Sequence, residues 1–242
     1  MRNYDQEFQD NERKYAYDFD YVLRRYMMRA LRPSFLPGRA LELGCFDGES
    51  TALLLDEFAD VTVVEAASEL VARANERVQG RAKFVCGRFE DVELGGEFEN
   101  VFLVHTLEHL DTPVEVLRKI QHWMTPTGRL FVVVPNANAP SRRIAVKMGI
   151  ISHNSAVTSA EHEHGHRITY GFDTLERDAR AAGLEIWQRG GIFFKPLANY
   201  QFDKLLQSDI ISEGYLEGCF ALGMEYPDLC ASIYLVCGRG SD

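Results

Sequence analysis

The chain has 242 residues, 46% of them hydrophobic, and a formal net charge of −10. That length admits one or two domains, and the apolar content can fill a sizeable core. The charge argues against general affinity for nucleic acid or an anionic membrane, both of which call for surplus Lys and Arg. The five cysteines (Cys45, Cys86, Cys219, Cys230 and Cys237) are odd in number and show no CxxC spacing. They read as reduced thiols. The first twenty residues are polar and acidic, unlike a signal peptide. No apolar run reaches the roughly 18 residues that span a bilayer. The expectation is a soluble, cytoplasmic protein with no membrane partner.

In chain order, large apolar residues at helical spacing predict one or two helices across 15–31, carrying Tyr15, Tyr17, Tyr21 and Tyr26 as packing residues. Pro33 and Pro37 end this N-terminal segment, 1–37. A regular alternation follows over 38–135. Strands are predicted at 39–45, 61–65, 83–86, 100–106 and 129–134. Helices are predicted at 49–58, at 68–78 with Ser68 as N-cap, and at 112–124 with Pro113 in the first turn. Strands alternating with helices imply a parallel sheet covered on both faces. The stretch 136–170 is irregular and reads as a long loop or inserted helical lid. Regularity resumes with Asp173 as N-cap of a helix that runs to about Ala182 and is closed by Gly183, a strand at 184–194, a helical stretch at 197–223 and a last strand at 231–237. The whole reads as one α/β domain: a Rossmann-like, seven-stranded, mostly parallel sheet, with 171–242 completing it.

The first strand runs into Glu42-Leu43-Gly44-Cys45-Phe46-Asp47-Gly48. In open parallel sheets ligands bind beyond the carboxyl ends of the strands, and glycine there lets backbone approach a ligand. A dinucleotide fingerprint starting at Gly44 needs glycine at 46 and 49, where Phe46 and Glu49 stand. An acid-x-Gly-x-x-x-Gly pattern fits, through Glu42, Gly44 and Gly48. The second strand ends at Glu65, whose carboxylate can accept both hydroxyls of a ribose.

These residues resemble the first motif of class I S-adenosylmethionine (SAM)-dependent methyltransferases. The resemblance implies SAM as cofactor, with S-adenosylhomocysteine as product, and no metal. It places Glu42, Gly44, Cys45, Phe46, Gly48, Glu65 and Ala66 around the cofactor. In that family the stretch after the third strand often begins Gly-Asp, and its carboxylate meets the adenine amino group. Here Gly87-Arg88-Phe89-Glu90-Asp91 stands there, so Phe89 is expected against the purine with Glu90 or Asp91 near it. The segment His105-Thr106-Leu107-Glu108-His109-Leu110 closely resembles that of ubiquinone-biosynthesis-type methyltransferases, where it lies beside the methionine end of SAM. A looser likeness, over 135–148 and the Gly-His-Arg at 165–167, is to bacterial methyltransferases associated with surface-polysaccharide genes.

Methyl transfer from a sulfonium is an in-line displacement that needs a positioned acceptor and, for some acceptors, a base. His105 is the candidate base, since an unperturbed imidazole titrates near ~6.5. It also borders the cofactor, whereas His109 is expected to pack on the following helix. In 136–170, His164, His166, Arg167 and Tyr170 are candidate contacts for a small acceptor with an anionic or strongly polar group. Asn136, Asn138, Arg142 and Arg143 add polar groups to the same stretch. His162, His164 and His166 alternate, and three readings stay open: a metal site, a solvated loop or substrate binding. A nucleic-acid methyltransferase fits less well. The charge opposes it, and His105-Thr106-Leu107-Glu108 stands where base-N-methylating enzymes typically resemble Asp/Asn-Pro-Pro-Tyr. A catalytically silent SAM-binding module and an NAD-dependent enzyme compete with methyl transfer as well.

Overall fold

The computed structural model describes residues 17–163 and 165–240. Tyr15 and His164 therefore lie outside the described residues. Helix α1 (Asp18–Leu31) buries Phe19, Leu23, Tyr26, Met27 and Leu31, the stripe its spacing predicts. The alternating core then runs β1 (Ala40–Leu43), α2 (Glu49–Leu55), β2 (Val61–Glu65), α3 (Ser68–Arg77), β3 (Lys83–Cys86), β4 (Phe98–Val104), α4 (Pro113–Gln121) and β5 (Met124–Pro135). After it come α5 (Pro140–Lys147), α6 (Ser159–Glu163), α7 (Phe172–Ala181), β6 (Glu185–Phe194), α8 (Asn199–Leu206), α9 (Glu213–Glu225) and β7 (Cys230–Gly238).

The seven strands form one sheet in the order β3-β2-β1-β4-β5-β7-β6. Strands β1 to β5 pair in parallel. β7 is antiparallel to both β5 and β6, so β6 points the same way as the parallel strands. Side chains alternate across the sheet. On one face Val101, Leu103, Leu130 and Val132 meet Leu117 and Ile120 of α4 and Leu175 of α7. On the other, Phe102, Phe131 and Val133 meet α1, Leu54 of α2, Phe202 of α8 and Phe220 of α9. The ring of Phe19 stacks on Phe202 at 4.1 Å, which fixes α1 against α8.

Three local expectations are corrected. Ala67 rather than Ser68 caps α3, and Gly171 rather than Asp173 precedes α7. β5 begins at Met124, because 124–128 continues along β4 through an irregular register before regular pairing resumes at Arg129. Of the two readings of 136–170, loop or helical insertion, the stretch carries two short helices, α5 and α6, and a bridge between Asn136 and Tyr170 joins its two ends. Among the described residues, no helix is long and apolar enough to cross a membrane.

Candidate functional site

Strand order reverses between β1 and β4, which opens a crevice beyond their carboxyl ends. Gly44 leaves β1 at φ +81°, and a Cβ there would meet the Thr106 hydroxyl at 2.6 Å. Glycine thus sets how closely the β1 turn approaches the end of β4. Gly48 has a different reason. At φ +85°, a Cβ there would lie 2.8 Å from the Cα of Ala74 on α3. Glycine at 48 thus also lets α2 seat against α3.

Glu65, buried at the end of β2, gathers the β1 turn. Its carboxylate accepts the amide hydrogens of Cys45 at 3.2 Å and Ala67 at 3.0 Å. Burial raises its pKa, and the amides of Ala67, Ala66, Cys45 and Phe46 act against that rise. The structure therefore brings Glu65, Ala66, Cys45 and Phe46 together. Glu42 lies deeper and accepts the Thr51 hydroxyl at 2.5 Å. Burial pushes its pKa to about 7.

Arg24 of α1 carries no motif signal in the sequence. Its guanidinium lies 3.6 Å from the Asp47 carboxylate and 5.7 Å from the centre of the Phe46 ring. Its Nη1 is buried without a hydrogen-bond partner. A buried cationic donor with an unmet hydrogen bond, beside the motif-bearing turn, suits a carboxylate ligand. Helical spacing is the one cue that points to it: Asp20 and Arg24 fall on the same helical stripe as Met27 and Leu31.

Phe89 is corrected. Its ring is buried in the core with Leu43, Val64 and Leu117, and does not form an open purine face. Glu90 faces the Arg88 guanidinium at 3.4 Å, and its carbonyl accepts the Lys119 ammonium.

At the end of β4, His105 takes φ +49°, a costly conformation for a non-glycine residue. Its Nε2 lies 2.8 Å from the Ser232 hydroxyl on β7. Burial lowers its pKa to about 3, helped by the charges of Arg24, His166 and Lys195. This lowering runs against the expectation of an imidazole titrating near neutrality. The turn that follows (Leu107–His109) buries Glu108, whose pKa burial raises to about 8. The Glu108 carbonyl accepts the amide of Arg167 at 2.8 Å. His166 meets His109 edge to face at 4.6 Å. One ligand atom each from Glu108, His109 and His166 lie within 4.8 Å of one another, so these three could hold a metal ion.

One acceptor candidate is corrected. Tyr170 is fully buried and donates its hydroxyl to Asp178 at 3.1 Å, inside the core. Arg167 pairs with Asp111 at 3.1 Å near the surface. Arg142 is also engaged, with Glu161 and the carbonyls of Asn154 and Ala156. His166 remains at the site.

The family model for a methyltransferase domain matches residues 13–189. The ubiquinone biosynthesis O-methyltransferase of Aeromonas salmonicida is 28% identical over 66% of this chain and 68% of its own length. Among solved structures, a SAM-dependent methyltransferase from Thermotoga maritima, described as a possible histamine N-methyltransferase, shares 18% identity. It aligns with a TM-score of 0.66 over 97% of this chain and 99% of its own. The 1,6-didemethyltoxoflavin-N1-methyltransferase of Burkholderia thailandensis, with S-adenosylhomocysteine bound, has a TM-score of 0.63 at 14% identity, over 98% of this chain and 85% of its own. With the motif turn, Glu65 and the 3-2-1-4-5-7-6 sheet, these matches make the chain a member of the methyltransferase domain family, a class I enzyme that uses SAM.

Proposed function

We propose that this chain moves a methyl group from SAM directly to an oxygen or nitrogen of a small acceptor bearing an anionic or strongly polar group. One observation carries this reading: His105, held on Ser232 at the carboxyl edge, feels the charges of Arg24, His166 and Lys195. Bound SAM supplies an electrophilic methyl on a sulfonium. The chain's residues do the rest. Glu65 suits the ribose hydroxyls and Arg24 the methionine carboxylate. Cys45 and Phe46 form the turn between them. His105, neutral at physiological pH, orients the acceptor atom by hydrogen bonding. His166, with the Glu108 carboxyl close by, is placed to take a proton from an acceptor that must lose one.

Direct transfer is favoured over a covalent carrier, because burial and the carboxylates of Glu42 and Glu65 hold the Cys45 thiol protonated. The acidic surface supports a small molecule over a nucleic acid. The test is incubation with methyl-labelled SAM and a metabolite extract, followed by mass spectrometry of the labelled product. Label appearing in the RNA or DNA fraction instead would replace this reading. The Glu108, His109 and His166 cluster favours a second reading, in which a divalent cation grips the acceptor. Loss of turnover on chelation, restored by added Mg2+ or Zn2+, would select it.

A further inference from the structure

We infer that Lys195, which belongs to no sequence motif, is the residue that grips an anionic group, a carboxylate or phosphate, on the acceptor. This inference rests on the methyl-transfer reading and narrows its substrate class. Because β6 runs parallel to β5, its last residue, Phe194, opens at the same carboxyl edge as the cofactor turn. Lys195 follows directly. Ile192 pairs with Ser232, the residue that holds His105. Lys195 thus lies three residues beyond the strand position level with His105, and its charge reaches that imidazole. Phe193, fully buried, turns the strand end at φ +64°, a strained conformation for an aromatic residue.

The surroundings fix the side chain, and the Asp20 carboxylate is the main countercharge acting on it. The Lys195 carbonyl accepts the Ser141 amide at 3.2 Å, which ties it to the first turn of α5. Its ammonium donates to the Asn199 amide oxygen at 2.6 Å, and Asn199 donates in turn to Asp20 at 2.7 Å. That uses one of three ammonium donors on a neutral acceptor. Asp20, Arg142 and Glu161 are the charged groups that face it. Asp20 is held by Asn199, and Arg142 and Glu161 by each other. Burial lowers the ammonium to about 8, so it is still mostly charged at neutral pH, and an anion that joins it favours the charged form further. Three other cations toward this end are engaged elsewhere: Arg167 with Asp111, Arg142 with Glu161, and Arg24 beside the cofactor turn. In an acidic protein, a half-buried ammonium with donors to spare at the acceptor end fits a negatively charged substrate.

The experiment uses the full chain saturated with S-adenosylhomocysteine and labelled with 13C at the lysine Cε. It is titrated with succinate and, separately, with inorganic phosphate, each to about 50 mM. The Lys195 resonance, assigned by its loss in Lys195→Arg, is expected to shift saturably with at least one anion. The two arms distinguish carboxylate from phosphate. Lys195→Gln should weaken that anion by about tenfold or more, and Lys195→Arg should stay within about threefold of wild type. S-adenosylhomocysteine affinity should be the same in all three proteins. A Lys195 resonance unmoved by both anions, or equal anion affinity in Lys195→Gln, overturns the inference. The wild-type titration decides the matter even if Lys195→Gln does not fold. Failure of S-adenosylhomocysteine itself to bind would instead overturn the methyl-transfer reading.

Discussion

The imidazole of His105 and the hydroxyl of Ser232 lie 2.8 Å apart, joining the end of β4 to the start of β7 across β5. The bond fixes the ring while burial strips its basicity, leaving the pKa at about 3. His105→Ala is expected to lower kcat by on the order of 10²-fold with S-adenosylhomocysteine affinity unchanged. Ser232→Ala should lower kcat less, by letting the ring turn. In the wild type, the kcat profile from about pH 5 to pH 8 should show no step from His105, whose ordinary value is near ~6.5. A step there that disappears in His105→Ala would show that the imidazole titrates as an ordinary base.

Arg24 is expected to hold the carboxylate of the cofactor, through the Nη1 that makes no hydrogen bond within the protein. Arg24→Met should weaken S-adenosylhomocysteine by on the order of 10- to 100-fold, as for loss of a charge-assisted bond. Methylthioadenosine, which lacks the amino-acid end, should bind both proteins alike. Calorimetry with the two ligands checks this. An equal loss for both would place Arg24 in the fold and not at the carboxylate.

Glu42 ties β1 to α2 through Thr51, and its folded pKa of about 7 lies above its ordinary value of 4.5. A carboxyl with a raised folded pKa gives stability that is full below the unfolded value and is lost as pH rises through the folded one. Thermal melts of the ligand-free protein should therefore lose stability from this group between about pH 4.5 and pH 7, by a few kcal/mol at most. Glu42→Gln keeps an acceptor for Thr51 and should flatten that part of the curve. An unchanged curve would show that Glu42 titrates normally.

Arg142 and Arg167 look alike in sequence and differ in the fold. The Arg142 side chain is 13% exposed against 36% for Arg167. Arg142→Ala strands Glu161 and two carbonyls, and should cost about 1.5–3 kcal/mol, several degrees in Tm. Arg167→Ala breaks an outer pair with Asp111 and should cost under about 1 kcal/mol. Scanning calorimetry of both variants checks the contrast, and a reversed order would mean that 136–170 is held by Arg167.

The sequence by itself determined the alternation of strands and helices, the turn after β1 and the carboxylate at Glu65. Those signals are local: short apolar runs, glycine where φ is positive, and an acid at a strand end. It misled wherever a residue's role depends on what packs over it. Phe89 and Tyr170 have the chemistry of ligand contacts, but only the packed core shows that their rings are enclosed. Arg24 and Lys195 come from segments about 170 residues apart, yet both bring charge to His105. That convergence follows from the β5-β7-β6 order, which brings the end of β6 to the parallel edge, and from the Phe19–Phe202 stack, which lays α1 across it. Long-range pairing and desolvation set the charge state of every group at the site, and neither can be read from residues near in sequence.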